Sequence, residues 1–104
     1  MKKLLLLLAV CFTLTLTSCQ FYYETIAEPD ECAYWYLEQL HEAAEDGDVD
    51  AFNSYLSDLR AWENSLTQEE LLQSEQGGYN YGLENPNDML YILEFAQSNS
   101  IVIY

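Results

Sequence analysis

Between Val49 and Leu66 the apolar residues fall at Val49, Phe52, Leu56, Leu59, Trp62 and Leu66, separated by steps of three and four. An α-helix turns about 100° per residue, so these side chains share one face; in a strand they would scatter over both. Such a face must be covered. The segment Asp30–Asp46 offers the cover: Cys32, Ala33, Tyr36, Leu37, Leu40, Ala43 and Ala44 form a second helical stripe, spanning roughly 140° of arc. Asp30 and Glu31 suit its N-terminus, and Gly47 suits the C′ position just past its end. Asp48 then serves as N-cap of the next helix. A connection this short makes the two helices antiparallel neighbours, an αα-hairpin.

The Ala44–Asp48 turn resembles the A-x-x-G-D turns of helical-repeat families, but it occurs once and predicts no solenoid. Thr67 and Glu70 read as a capping box opening a short third helix. That helix is expected to stop near Gln76, at Gly77-Gly78, with residues 77–88 as a loop. Asn85-Pro86 then reads as an N-cap followed by proline at the first helical position. Met89, Leu90, Ile92, Leu93 and Ala96 give the following segment a broad apolar face. Residues 88–96 suit a strand by composition, but the Asn-Pro start favours a helix. Ile101–Tyr104 is expected to be an extended tail packed on the hairpin. The fold class is therefore all-α: a small antiparallel helical hairpin extended to a three-to-four-helix bundle.

The N-terminus has a different character. Lys2 and Lys3 precede an apolar run from Leu4 to Leu16, with no Asp or Glu before Glu24. A charged start, a short apolar core and small residues before a cut are the parts of a secretory signal. The run is too short for a membrane-spanning helix, which needs roughly 20 residues. It ends in Leu16-Thr17-Ser18-Cys19, which resembles the lipobox of bacterial lipoproteins. The resemblance covers residues 1–19 and implies that Cys19 receives a diacylglycerol, becomes the first residue after cleavage and is acylated on its new amine. It also implies a place in the cell envelope. Two or three acyl chains hold a protein firmly at a bilayer where one holds it weakly. Gln20, where Asp would imply inner-membrane retention, favours the outer membrane. The expected divisions are a signal peptide at 1–18, a lipidated tether at 19–29 and an acidic helical domain at 30–104. In the tether, Gln20–Thr25 is expected to be extended. Phe21, Tyr22 and Tyr23 have two places open to them, the membrane interface or the domain surface.

Cleavage changes the charge. The whole chain carries a net −15, but both lysines lie in the signal. From Cys19 onward Arg60 alone faces 18 acids, a net −17. Nucleic acid is excluded as a partner, because neutralising phosphates requires Lys and Arg. Anionic headgroups are disfavoured for the same reason, while cations and basic proteins are attracted. Arg60 itself is expected to pair with Glu63 one turn on. Cys11 leaves with the signal and Cys19 goes to lipid, so Cys32 has no intramolecular partner and reads as a buried small hydrophobe.

Little in the chain points to catalysis. His41 is the sole histidine, no nucleophile or phosphate-loop motif occurs, and no cofactor is implied. Glu63, beside an apolar stripe, is the nearest approach to an acid–base carboxylate. Asp46, Asp48 and Asp50 have the spacing of the start of an EF-hand loop. The sixth position is Ala51 rather than Gly and the twelfth is Ser57 rather than Glu, so the pattern fails. Capping the second helix explains these acids better. Tyr34 and Trp35 point toward the acidic side of the first helix, where core aromatics do not belong, and are the partner-binding candidates. The expected function is a non-enzymatic, membrane-anchored envelope lipoprotein whose acidic domain binds a protein. An immunity-type inhibitor of a basic toxin and a weak divalent-cation or structural lipoprotein are the alternatives.

Overall fold

The computed structural model describes residues 15–103 and contains five helices among them: α1 Thr15–Thr25, α2 Pro29–Glu45, α3 Val49–Asn64, α4 Gln68–Glu84 and α5 Pro86–Ser98. Residues 1–14, which hold most of the expected signal, and Tyr104 lie outside the described residues. The all-α expectation holds, with one more helix than the expected three to four. No described helix is long and apolar enough to cross a membrane.

Helix α2 is the hub, and α1, α3, α4 and α5 all pack against it. Its pairing with α3 follows the apolar stripes. Cys32 and Tyr36 near the start of α2 cluster with Trp62 near the end of α3, while Ala43 and Ala44 cluster with Phe52 at the other end. The two helices are therefore antiparallel. The turn between them is a Schellman motif: Gly47 N–H donates to Ala44 O (3.0 Å) and Asp48 N–H to Ala43 O (2.9 Å). Gly47 sits at φ +66°, the left-handed region that glycine enters without strain. Asp48 caps α3 by accepting from Ala51 N–H at 3.0 Å.

Four local expectations are corrected. The tether is not extended, because Gln20–Thr25 continues α1 and docks on the bundle. Helix α4 does not stop at Gln76. It opens with the expected capping box, Glu70 N–H to Thr67 Oγ1 at 3.2 Å and Thr67 N–H to Glu70 Oε1 at 3.0 Å, then runs through Gly77, Gly78 and Gly82 to Glu84. Tertiary packing overrides glycine's poor helix propensity here. A Cβ on Gly77 would lie 2.1 Å from the Asp30 carbonyl oxygen, so only glycine lets α4 approach the first turn of α2 this closely. Asn85 precedes α5 as expected but does not cap it with its side chain, which donates instead to Tyr34 Oη (3.0 Å) and Tyr81 O (3.3 Å). Arg60 does not pair with Glu63. Its Nη2 donates to the backbone oxygens of Val102 and Ile103, the latter at 2.8 Å, and fastens the C-terminal tail to α3. The tail packs as expected, with Ile101 and Ile103 against the main core.

Gly77→Ala is expected to destabilise the fold by about 1–3 kcal/mol, the usual cost of overpacking where backbone must give way. Gly82→Ala is expected to do the opposite. Its Cβ would meet only Met89 Cε at 3.8 Å, and alanine is better in a helix by about 0.5–1 kcal/mol. Denaturant midpoints of the two variants should move in opposite directions.

Candidate functional site

The aromatic residues marked by the sequence divide between interior and surface. Trp35 is 7% exposed and belongs to the core, correcting the view of it as a surface anchor. Its cover comes from the tether: the Tyr23 ring stacks on it with centroids 5.1 Å apart and planes at 15°. Tyr36 and Tyr55 meet its other sides edge-on. Tyr34 is half-buried, with its ring edge-on to Tyr81 at 5.1 Å. Its hydroxyl donates to Glu84 Oε2 at 2.7 Å and accepts from Asn85. Both are packed because α2 is covered on more sides than its main apolar stripe, by α1 over Trp35 and α4 beside Tyr34.

Polar contacts seat α1. Tyr36, fully buried, donates its hydroxyl to the Glu24 carboxylate, and Gln20 Nε2 donates to Tyr36 Oη (3.1 Å) and Asp58 Oδ2 (3.0 Å). Burial, then the Glu24 hydrogen bond, pushes the Tyr36 phenol well above its ordinary range, so it remains a donor. Cys19 is exposed on this docked helix, while Phe21, Tyr22 and Ile26 are 62%, 46% and 66% exposed. Cys19, Tyr22 and Ile26 follow steps of three and four, placing them along one outward side. Cys32 has no such access. It is fully buried, and burial raises its thiol to about 12, which removes it as a nucleophile.

The remaining charged candidates sit at helix ends. Asp48 is the α3 cap, Asp46 ends α2 and Asp50 lies in the first turn of α3. Among the described residues no group of three or more His, Cys, Asp or Glu is placed to hold a metal ion. His41 bridges α2 and α5, with Nδ1 3.2 Å from Glu45 and Nε2 3.4 Å from Asp88.

The feature that sequence reasoning missed is a groove of about 420 Å³ on the opposite flank of α2 from Trp35. Its floor is Leu37 and Leu40 of α2. Leu59 of α3 forms one wall, Tyr79 and Leu93 of α4 and α5 the other, and Ile103 closes one end. Glu63 and Glu75 also line it. Apolar surface continues outside: Leu72, Tyr79 and Leu83 recur along α4, and Leu90 and Leu93 along α5, each at least 47% exposed. Reading residues 77–88 as a loop hid this stripe, although its steps of seven and four are helical. The Glu63 carboxylate is poorly accommodated. Burial, then the charge of Glu75, pushes the Glu63 carboxyl above its ordinary range, only partly offset by Arg60.

No protein-family model, no curated protein and no solved structure matches this chain.

Two measurements check this geometry. In a Trp62→Phe background, Tyr23→Ala should shift Trp35 emission to the red and cost about 1 kcal/mol or more, as the stacked ring is lost. A group whose pKa rises on folding lends stability below its unfolded-state pKa and loses it as pH climbs through the folded-state value. Glu63→Gln should therefore melt higher than wild type at pH 7. Its advantage should vanish below about pH 4, where the glutamate is protonated in both states.

Proposed function

We propose that this chain is a bacterial envelope lipoprotein, made with a cleaved signal and anchored by lipid on Cys19, whose acidic hairpin-based bundle binds a protein and is not an enzyme. The observation that carries the anchor is the lipobox-like Leu16-Thr17-Ser18-Cys19 after a lysine-led apolar run, together with the exposure of Cys19. Among the described side chains, the docking contacts of α1 made by Gln20, Tyr23 and Glu24 lie after the cut. Removal of the signal therefore leaves these contacts in place. The outer membrane is the preferred site, because Gln20 rather than Asp follows the cysteine.

Protein binding is supported by the apolar groove, by the large apolar side chains exposed on the helices that line it, and by a charge that selects for basic partners. Inertness in catalysis is the companion reading. The buried thiol has an unreactive pKa, and the lone histidine already lies between two carboxylates of its own fold.

Cell fractionation tests the anchor. Wild type should sediment with membranes and gain the mass of lipid, while Cys19→Ala should lose both; unchanged partition of the variant refutes lipidation. Cross-linking tests the partner. Carbodiimide joins carboxylates to amines, and no lysine remains after Cys19. A discrete protein-sized adduct in intact cells must therefore draw its lysine from another protein. Recovery of no more than a charge-matched acidic control counts against a specific partner.

A further inference from the structure

We propose that the groove between α3 and the α4–α5 pair is the partner site, and that it takes an amphipathic basic helix. This rests on the protein-binding reading above and names the occupant.

The shape comes first. Leu37 forms the floor and Leu59, Tyr79 and Leu93 the walls of a cleft enclosing about 420 Å³. That is the scale of a site that receives apolar side chains. Outside the lining, Leu72 and Leu83 of α4 and Leu90 of α5 expose further apolar side chains on two of the helices that form it. An extended apolar strip with a central cleft matches helix-in-groove recognition, in which anchors at i, i+3, i+4 and i+7 enter the cleft.

Charge then chooses among occupants. Glu63 and Glu75 both stand in the groove lining, where burial and then the charge of Glu75 push the Glu63 carboxyl above its ordinary range; the nearby cation, Arg60, has its Nη2 committed to the tail carbonyls. A lysine or arginine flanking the partner's apolar anchors would relieve that repulsion and gain a partly desolvated ion pair. A second copy of this chain would add another −17 and place carboxylate against carboxylate. An anionic lipid surface fails on the same ground. The occupant that satisfies both the leucines and the glutamates is an apolar helix edged with Lys or Arg.

The probe is a Leu/Lys amphipathic peptide of about 14 residues, roughly 21 Å as a helix, carrying one photoreactive residue on its apolar face. It is added to the full chain purified into zwitterionic nanodiscs. Adducts should map to Leu37, Leu59, Tyr79 or Leu93. A peptide of the same composition with its apolar face scrambled should bind at least about tenfold more weakly. Tyr79→Ser/Leu93→Gln alters two exposed side chains, so its melting temperature should stay near wild type while binding falls by a similar factor. Glu63→Gln/Glu75→Gln should weaken binding and flatten its salt dependence. Equal binding of the scrambled peptide, adducts on α1 or on the His41 face, or binding indifferent to Tyr79→Ser/Leu93→Gln each overturns the proposal. Labelling of the same residues by a lipid-borne photoprobe, with no peptide adduct, overturns it in favour of membrane contact. A carbodiimide adduct in cells alongside failure of the peptide rejects this groove while leaving a protein partner elsewhere.

Discussion

The contact between Gly77 and the backbone of Asp30 sets the geometry of the bundle. Helix α4 reaches α2 there at a distance no side chain permits. Helix α3 is held to α2 by the Schellman turn and by the aromatic cluster of Tyr36 and Trp62. Two helices drawn tightly to a common hub need not fill the space between themselves. Here that space is the groove over Leu37, with Leu59 on one side and Tyr79 on the other. The cleft is thus a consequence of how α2 is gripped, and a looser α4 would change its width.

Charge is the second constraint, and it acts through scarcity. From Cys19 onward the chain holds a single permanent cation, Arg60, whose Nη2 is spent on the carbonyls of Val102 and Ile103. Neutralisation of 18 acids from within is therefore impossible. The fold reduces the cost in small ways. Asp48, Glu69 and Glu70 sit at helix N-termini, where the helix dipole favours them. His41 lies between Glu45 and Asp88. Glu63 is only partly helped by Arg60 and is held in a partly apolar setting beside Glu75. A misfit of this kind lowers the stability of the free protein and is relieved when an outside cation arrives.

How much the chain discloses depends on the range of the interaction. Features set by a few neighbouring residues are plain in the sequence: the stripes of α2 and α3, the Gly47 turn, the Thr67–Glu70 capping box and the Asp48 cap all stand where local chemistry places them. The errors share a different cause. Gly77 looks like a terminator because its reason for being glycine lies at Asp30, 47 positions away. Trp35 looks like a surface anchor because its cover is Tyr23, in a segment whose apolar pattern is too weak to announce a helix. Arg60 looks like a partner for Glu63 until the tail closes over α3. The groove inherits the first of these errors, since a chain that ends α4 at Gln76 has no Tyr79 wall and no Leu83 stripe. The proposed lipidation is the reverse case, since it rests on a short stretch of sequence, Leu16 to Cys19, and on no feature of the fold.

The docking of α1 gives the lipid reading a physical consequence. A flexible tether would let the domain wander from its anchor by several ångströms per residue. Gln20, Tyr23 and Glu24 instead bind the first turns after Cys19 to Tyr36, Asp58 and Trp35. A lipid on Cys19 would then leave from a fixed point on the bundle, beside the exposed Tyr22 and Ile26. The side of the domain bearing α1 would face the bilayer, with aromatic and aliphatic groups at the depth where such side chains are favoured. The groove lies on the other flank of α2. An anchor so placed would hold the acidic domain at the membrane while turning its apolar cleft away from lipid, toward the basic helix proposed to fill it.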